Sequence, residues 1–167
     1  MLRQVLGTLA LFAALVLFGL VTRPAALALP RVFGFHAVLV ALPSAFALTF
    51  SLRKGLRFPL VAGAVVLFSL LLSLMSPVMG VSSLAPMAVA ALAYGGFRKG
   101  ESRKAFAVGC VYGAFFYPCT VAASLGLGAL SLAYLQGSVF VLLAAALLGG
   151  ALAVLGAVSA TGLADRR

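Results

Sequence analysis

The stretch Arg98-Lys99-Gly100-Glu101-Ser102-Arg103-Lys104 decides how this chain folds. It packs four basic residues and one acid into seven positions. On either side the charge vanishes: no Asp, Glu, Lys or Arg stands between Phe58 and Phe97, or between Ala105 and Ala164. Working outward, the same pattern repeats, with short basic clusters separating long apolar blocks. Of the 167 residues, 65% are hydrophobic and 8% charged. A soluble domain has roughly 45–50% apolar and 25% charged residues. The mean hydropathy of +1.25 points to a membrane protein. It excludes a soluble globular domain, a basic nucleic-acid arm and a disordered tail.

A spanning helix needs about 20 apolar residues, and the basic clusters together with two soft uncharged stretches divide the chain into six such blocks. They cover approximately residues 4–22, 32–52, 58–75, 83–97, 105–124 and 138–162. The expected fold is all-α: one transmembrane domain, a polytopic bundle of six transmembrane helices. Pro43 falls inside the second span and predicts a kink there. Residues 76–83 read as a soft, uncharged connection, with Ser83 as a helix cap and Pro86 in the first turn of span four. Residues 125–137 read as a second uncharged connection.

The net charge of +10 would suggest nucleic acid in a soluble protein. Here it reads as topogenic charge facing anionic lipid. With the N-terminus cytoplasmic, the inner segments hold Arg3; Arg53, Lys54 and Arg57; Arg98, Lys99, Arg103 and Lys104; and Arg166 and Arg167. That is ten of the twelve basic residues, leaving only Arg23 and Arg31 outside. The positive-inside rule requires this asymmetry, so both termini are expected in the cytoplasm. A five-span chain would put one basic cluster on the wrong side. Arg3 followed by an apolar run, with Ala26-Leu27-Ala28 beyond it, has the outline of a signal peptide. The run is longer than an h-region and Arg23 interrupts it, so it reads as a retained first span. Cys110 and Cys119 lie about 13.5 Å apart along one helix, out of reach of each other. They make no metal spacing.

Small residues recur every fourth position: Ala10 and Ala14, Ala91 and Gly95, Gly109 and Gly113, Ala146 and Gly150, Gly149 and Ala153, Gly156 and Ala160. Such pairs let helix backbones approach closely. The plain reading is packing within the chain, and the sharper one is docking of another subunit. Polar groups gather in the outer halves of the spans. His36, Ser82, Tyr117, Thr120, Gln136 and Ser138 are the expected ligand contacts, with Met75, Met79 and Met87 as adaptable apolar surface. They outline a shallow outward pocket capped by the two uncharged connections. For each residue alone a structural role competes, as an interfacial aromatic or as a hydroxyl bonded to its own helix.

The two acids, Glu101 and Asp165, both fall in cytoplasmic segments. Proton-coupled carriers place a carboxylate within the membrane. Intramembrane aspartyl or metal-dependent chemistry needs acids or metal ligands there. GxSxG is absent. The expectation is a protein that is not an enzyme and needs no metal or cofactor. A small transport protein without coupling residues needs an energised partner.

Ala10-Leu11-Phe12-Ala13-Ala14, an AxxxA element in span one, and Tyr94–Lys104, a glycine-containing span end running into a basic turn, resemble the S components of energy-coupling factor (ECF) vitamin transporters. The resemblance implies a substrate-binding subunit of a bacterial or archaeal cell membrane with an outward-facing pocket. It also implies a small vitamin-like or other micronutrient ligand. Span one would dock through Ala10 and Ala14 on a membrane-embedded partner that carries an ATPase module. No residue names the ligand. The rival reading is a non-catalytic scaffold, assembly or accessory subunit of a larger membrane complex, which accounts equally well for the small-residue faces.

Overall fold

Apolar chain in lipid must hydrogen-bond its own backbone, so each uncharged block has to be helical through its full depth. The computed structural model describes the backbone of residues 1–27, 35–96 and 100–166, with side chains at all of these except 23–27 and 132–137. It contains α1 (Leu2–Leu27), α2 (Phe35–Arg53), α3 (Phe58–Met75), α4 (Pro77–Gly96), α5 (Glu101–Gly126) and α6 (Leu132–Asp165). All six are long and apolar enough to cross a membrane, and no strand occurs among the described residues. The protein is an all-α, six-helix, multi-pass membrane bundle.

The punctuation between helices follows from particular residues. Gly55, at φ +87°, turns the chain after α2, a conformation that costs a side-chain-bearing residue more than glycine. Pro59 then opens α3 in its first turn, where its missing N–H is not needed. Between α3 and α4 the joint is a single extended residue, Ser76, at φ −162° and ψ 128°. A residue before proline is driven to this extended region, and Pro77 starts α4.

That joint corrects the expected soft connection at 76–83. It is helical from Pro77 onward, so Ser83 is not a cap and Pro86 lies inside the helix. The serines fit because their hydroxyls return to the helix. Ser82 donates to the Val78 carbonyl at 2.6 Å. Ser83 reaches Ser69 of α3 at 2.8 Å. Gly80 packs so close to α3 that a Cβ there would sit 2.9 Å from Ser73 Cβ. The second expected connection also shrinks. Helix α5 continues to Gly126 and α6 begins at Leu132, leaving 127–131 as the turn. At its other end α1 continues past the expected boundary at 22 to Leu27.

Helices α2, α5 and α6 all pack against one another. Gly109 and Gly113 make this possible. A Cβ at Gly109 would lie 2.7 Å from the Ala45 carbonyl, and one at Gly113 2.8 Å from the Ala41 carbonyl. Gly156 of α6 sits directly on the Leu42 carbonyl of α2. Helix α4 packs on α5 and α3, α1 on α2 and α3, and α2 barely meets α3. The order α1, α2, α5, α4, α3 therefore closes a ring, with α6 behind α2 and α5.

One end of the bundle collects the basic segments. Arg53 forms an ion pair with Asp165, and Lys54 Nζ donates to the Ala164 carbonyl at 3.2 Å. Gln4 Nε2 donates to the Gly55 carbonyl at 2.8 Å. Phe58 and Tyr94 stack with ring centroids 4.2 Å apart. Tyr94 donates to Glu101 at 3.1 Å, and Lys104 pairs with Glu101 at 3.0 Å. The start of α1, the α2–α3 turn, the end of α4, the start of α5 and the end of α6 thus lie at one end of the bundle.

Candidate functional site

The ring of five helices does not fill its own centre. Toward the end opposite the basic cluster it leaves a partly open cavity of about 200 Å³. Helix α1 supplies Val16, Gly19, Leu20 and Thr22, and α2 supplies His36 and Val40. Phe68, Leu71, Leu72 and Met75 come from α3, Met79 and Ser82 from α4, and Phe116 from α5. The void exists because α2 and α3 barely touch, so nothing crosses the ring between them.

Among the described residues, none that line the cavity is Asp, Glu, Lys or Arg, and the polar ones are Thr22, His36 and Ser82. The Thr22 hydroxyl donates to the Phe18 carbonyl at 2.8 Å, and that of Ser82 donates to Val78. With their protons committed, both oxygens offer the cavity acceptor capacity only. His36 is the one imidazole in the chain. The site therefore suits a neutral, mostly apolar molecule carrying one or two hydrogen-bond donors.

Two of the expected contacts, His36 and Ser82, come together in this cavity, and Met75 and Met79 line it with them. Tyr117 and Thr120 do not reach it. Tyr117 is buried in the helix core near Gly149, and Thr120 donates to the Phe116 carbonyl at 2.8 Å. Ser138 is half-buried on α6, and no described residue of α6 lines the cavity. The side chain of Gln136 lies outside the described residues. Met87 is buried away from the cavity. The expected pocket leaned on α5 and α6. The open space lies instead on the α1 and α3 side, because the glycine contacts draw α2, α5 and α6 together and leave no room between them.

Several lining residues carry no signal of their own in the sequence. Phe68, Leu72 and Phe116 look like any apolar residue of a span, and Gly19 lacks a fourth-position partner of the kind used to find the small-residue faces. Thr22 was missed as well, although a hydroxyl at the outer end of span one is a signal that could have found it. Below the cavity wall stands Tyr112. Its ring meets Phe116 edge-on at 5.7 Å. Its hydroxyl is fully buried without a hydrogen-bond partner among the described residues. A buried phenol normally finds a protein, water or ligand partner.

Ala10 and Ala14 lie elsewhere. They line a groove of about 410 Å³ between α1 and α2, on the side of the basic end. Ala10 is exposed and Ala14 half-buried, so this stripe is accessible from outside. The pairs on α5 and α6 behave differently: Gly109, Gly113 and Gly156 are consumed by packing within the chain. Cys110 and Cys119 are free thiols. Compared with known proteins, the chain matches no family model, no curated protein and no solved structure.

Proposed function

We propose that this protein binds a small neutral molecule within the membrane as the substrate-binding subunit of an uptake transporter, and that a separate ATPase module supplies the energy. The observation that carries this reading is the cavity holding His36, Ser82 and Thr22, whose described lining carries no charge. At about 200 Å³ it falls below the roughly 300–1,000 Å³ usual for drug-sized ligands, which favours a compact micronutrient. Spans without an ionisable coupling residue need an external source of energy for uphill uptake. The accessible Ala10 and Ala14 offer a flat helix face for a membrane-embedded partner. Such an assembly belongs in a bacterial or archaeal cell membrane with both termini cytoplasmic.

The second reading, a scaffold or accessory subunit, draws on the same accessible groove and has no use for the cavity. Native mass spectrometry of the full-length protein from gentle detergent separates the two. The expected result is one small molecule bound per chain. Gly19→Leu pushes a side chain into the cavity beside Phe68, from an ordinary contact of 3.7 Å, and should abolish that adduct while the protein stays folded. An empty wild-type protein held by a partner without ATPase sequence would overturn the transport reading.

A further inference from the structure

The groove between α1 and α2 has a polar mouth and an apolar bed, and the two ends ask for different chemistry. Arg3, Gln4 and Lys54 stand at the mouth, and Ala10, Phe46 and Phe50 belong to the bed. From Arg3 to Phe18 the groove follows α1 for about 22 Å. This equals half of a bilayer that measures about 40–45 Å with its head groups. The groove therefore has the length of one leaflet, with its cationic mouth at the head-group level.

The mouth is built and held. Gln4 Nε2 donates to the Gly55 carbonyl at 2.8 Å, and its Oε1 accepts from the Arg57 backbone N–H at 3.3 Å. Arg3 donates to the Lys54 carbonyl at 3.4 Å. These bonds staple the start of α1 to the α2–α3 turn, and Arg3 and Lys54 both line the opening. No acid lines the groove. Asp165 is paired with Arg53 and Glu101 with Lys104, and neither carboxylate lines the groove. Arg3 uses one of five N–H donors in its bond and Lys54 one of three, in the bond to Ala164.

We propose that this groove binds one anionic phospholipid, with the head-group phosphate at Arg3 and Lys54 and one acyl chain along Ala10, Ala14 and Phe46. The charge at the mouth selects an anionic lipid, since a zwitterionic head group brings its own cation. Lipid here covers the small-residue face of α1, so a protein partner that docks on Ala10 and Ala14 must displace it. The site itself does not depend on the transport reading.

The test is native mass spectrometry of the full-length protein in mixed micelles. The probes are phosphatidylglycerol and phosphatidylcholine with identical acyl chains. Phosphatidylglycerol should be retained as a single tight adduct and phosphatidylcholine should not. Each basic side chain near a membrane surface is worth about fivefold in binding, so R3Q/K54Q should weaken retention by more than about tenfold. R103Q/R166Q, which removes the same charge elsewhere, should leave it within about twofold. Ala14→Phe fills the bed without touching the mouth and should also expel the lipid, which guards against a mouth variant that merely disturbs the turn. The proposal fails if phosphatidylcholine is held equally well, if the charge-matched control loses as much, if Ala14→Phe retains the adduct, or if millimolar inorganic phosphate displaces it.

Discussion

The two sides of the bundle are built to different tolerances. On one side α2, α5 and α6 approach until glycines rest on carbonyl oxygens, with Gly109 against Ala45, Gly113 against Ala41 and Gly156 against Leu42. On the other side α1 contributes only Leu11 and Leu15 to the described buried core and touches only α2 and α3. Both the cavity and the lipid-length groove involve α1. The contrast teaches where a membrane protein can keep room for a ligand. Lipid tails are as apolar as leucine, so close packing rather than water expulsion holds the helices together. Where glycines rest on carbonyls no space survives, and α1, whose glycines Gly7 and Gly19 meet only side chains, leaves room beside it.

The comparison breaks first at Gly113. A leucine there must push into the Ala41 carbonyl and the Ala153 side chain. It should cost about 3 kcal/mol, at the upper end for overpacking. Gly63→Leu, on an exposed face of α3 with nothing within 4 Å, should change stability little. Thermal unfolding in the same micelles compares the two, and equal losses would show that the tight side is not tight.

A smaller effect sharpens the account of the looser side. Ser83 and Ser69 form the described hydroxyl pair between α3 and α4. A double-mutant cycle through Ser69→Ala and Ser83→Ala should give a coupling of about 0.6 kcal/mol, the usual value for such bonds between membrane helices. A value above about 2 kcal/mol would mean that polar contacts, and not packing, hold α3 in place.

The smallest effect belongs to the basic end. The Arg53–Asp165 pair leaves its acid mostly exposed, at 64%. Exposed pairs contribute about 0.2–1 kcal/mol. Asp165→Asn should therefore lower stability by a few tenths of a kcal/mol, and the difference should fade in high salt.

The legibility of this chain was uneven for a physical reason. Charge clusters such as Arg98–Lys104 stand out because lipid excludes them, so the gathering of basic segments at one end could be read directly, and the lengths of the uncharged runs between them supplied the number of helices. Residues 76–83 misled because serine and glycine signal a turn in water. In lipid, Ser82 satisfies itself on Val78 and the helix continues through it. His36 and Ser82 were readable as polar groups within apolar spans. Tyr117 and Thr120 looked equivalent in sequence, yet Tyr117 packs beside Gly149 and the Thr120 hydroxyl returns to its own helix.

What the amino-acid sequence determined by itself was the solvent of this protein, the six helices and the end that carries the charge, because each follows from the cost of placing charge or open backbone in hydrocarbon. What only the tertiary structure decided was which faces meet. These helices are apolar on every side, so no polar stripe distinguishes inside from outside. The choice falls to shape alone, to a glycine that admits a carbonyl or a leucine that does not. That choice closed the space beside Tyr117 and opened the one beside His36.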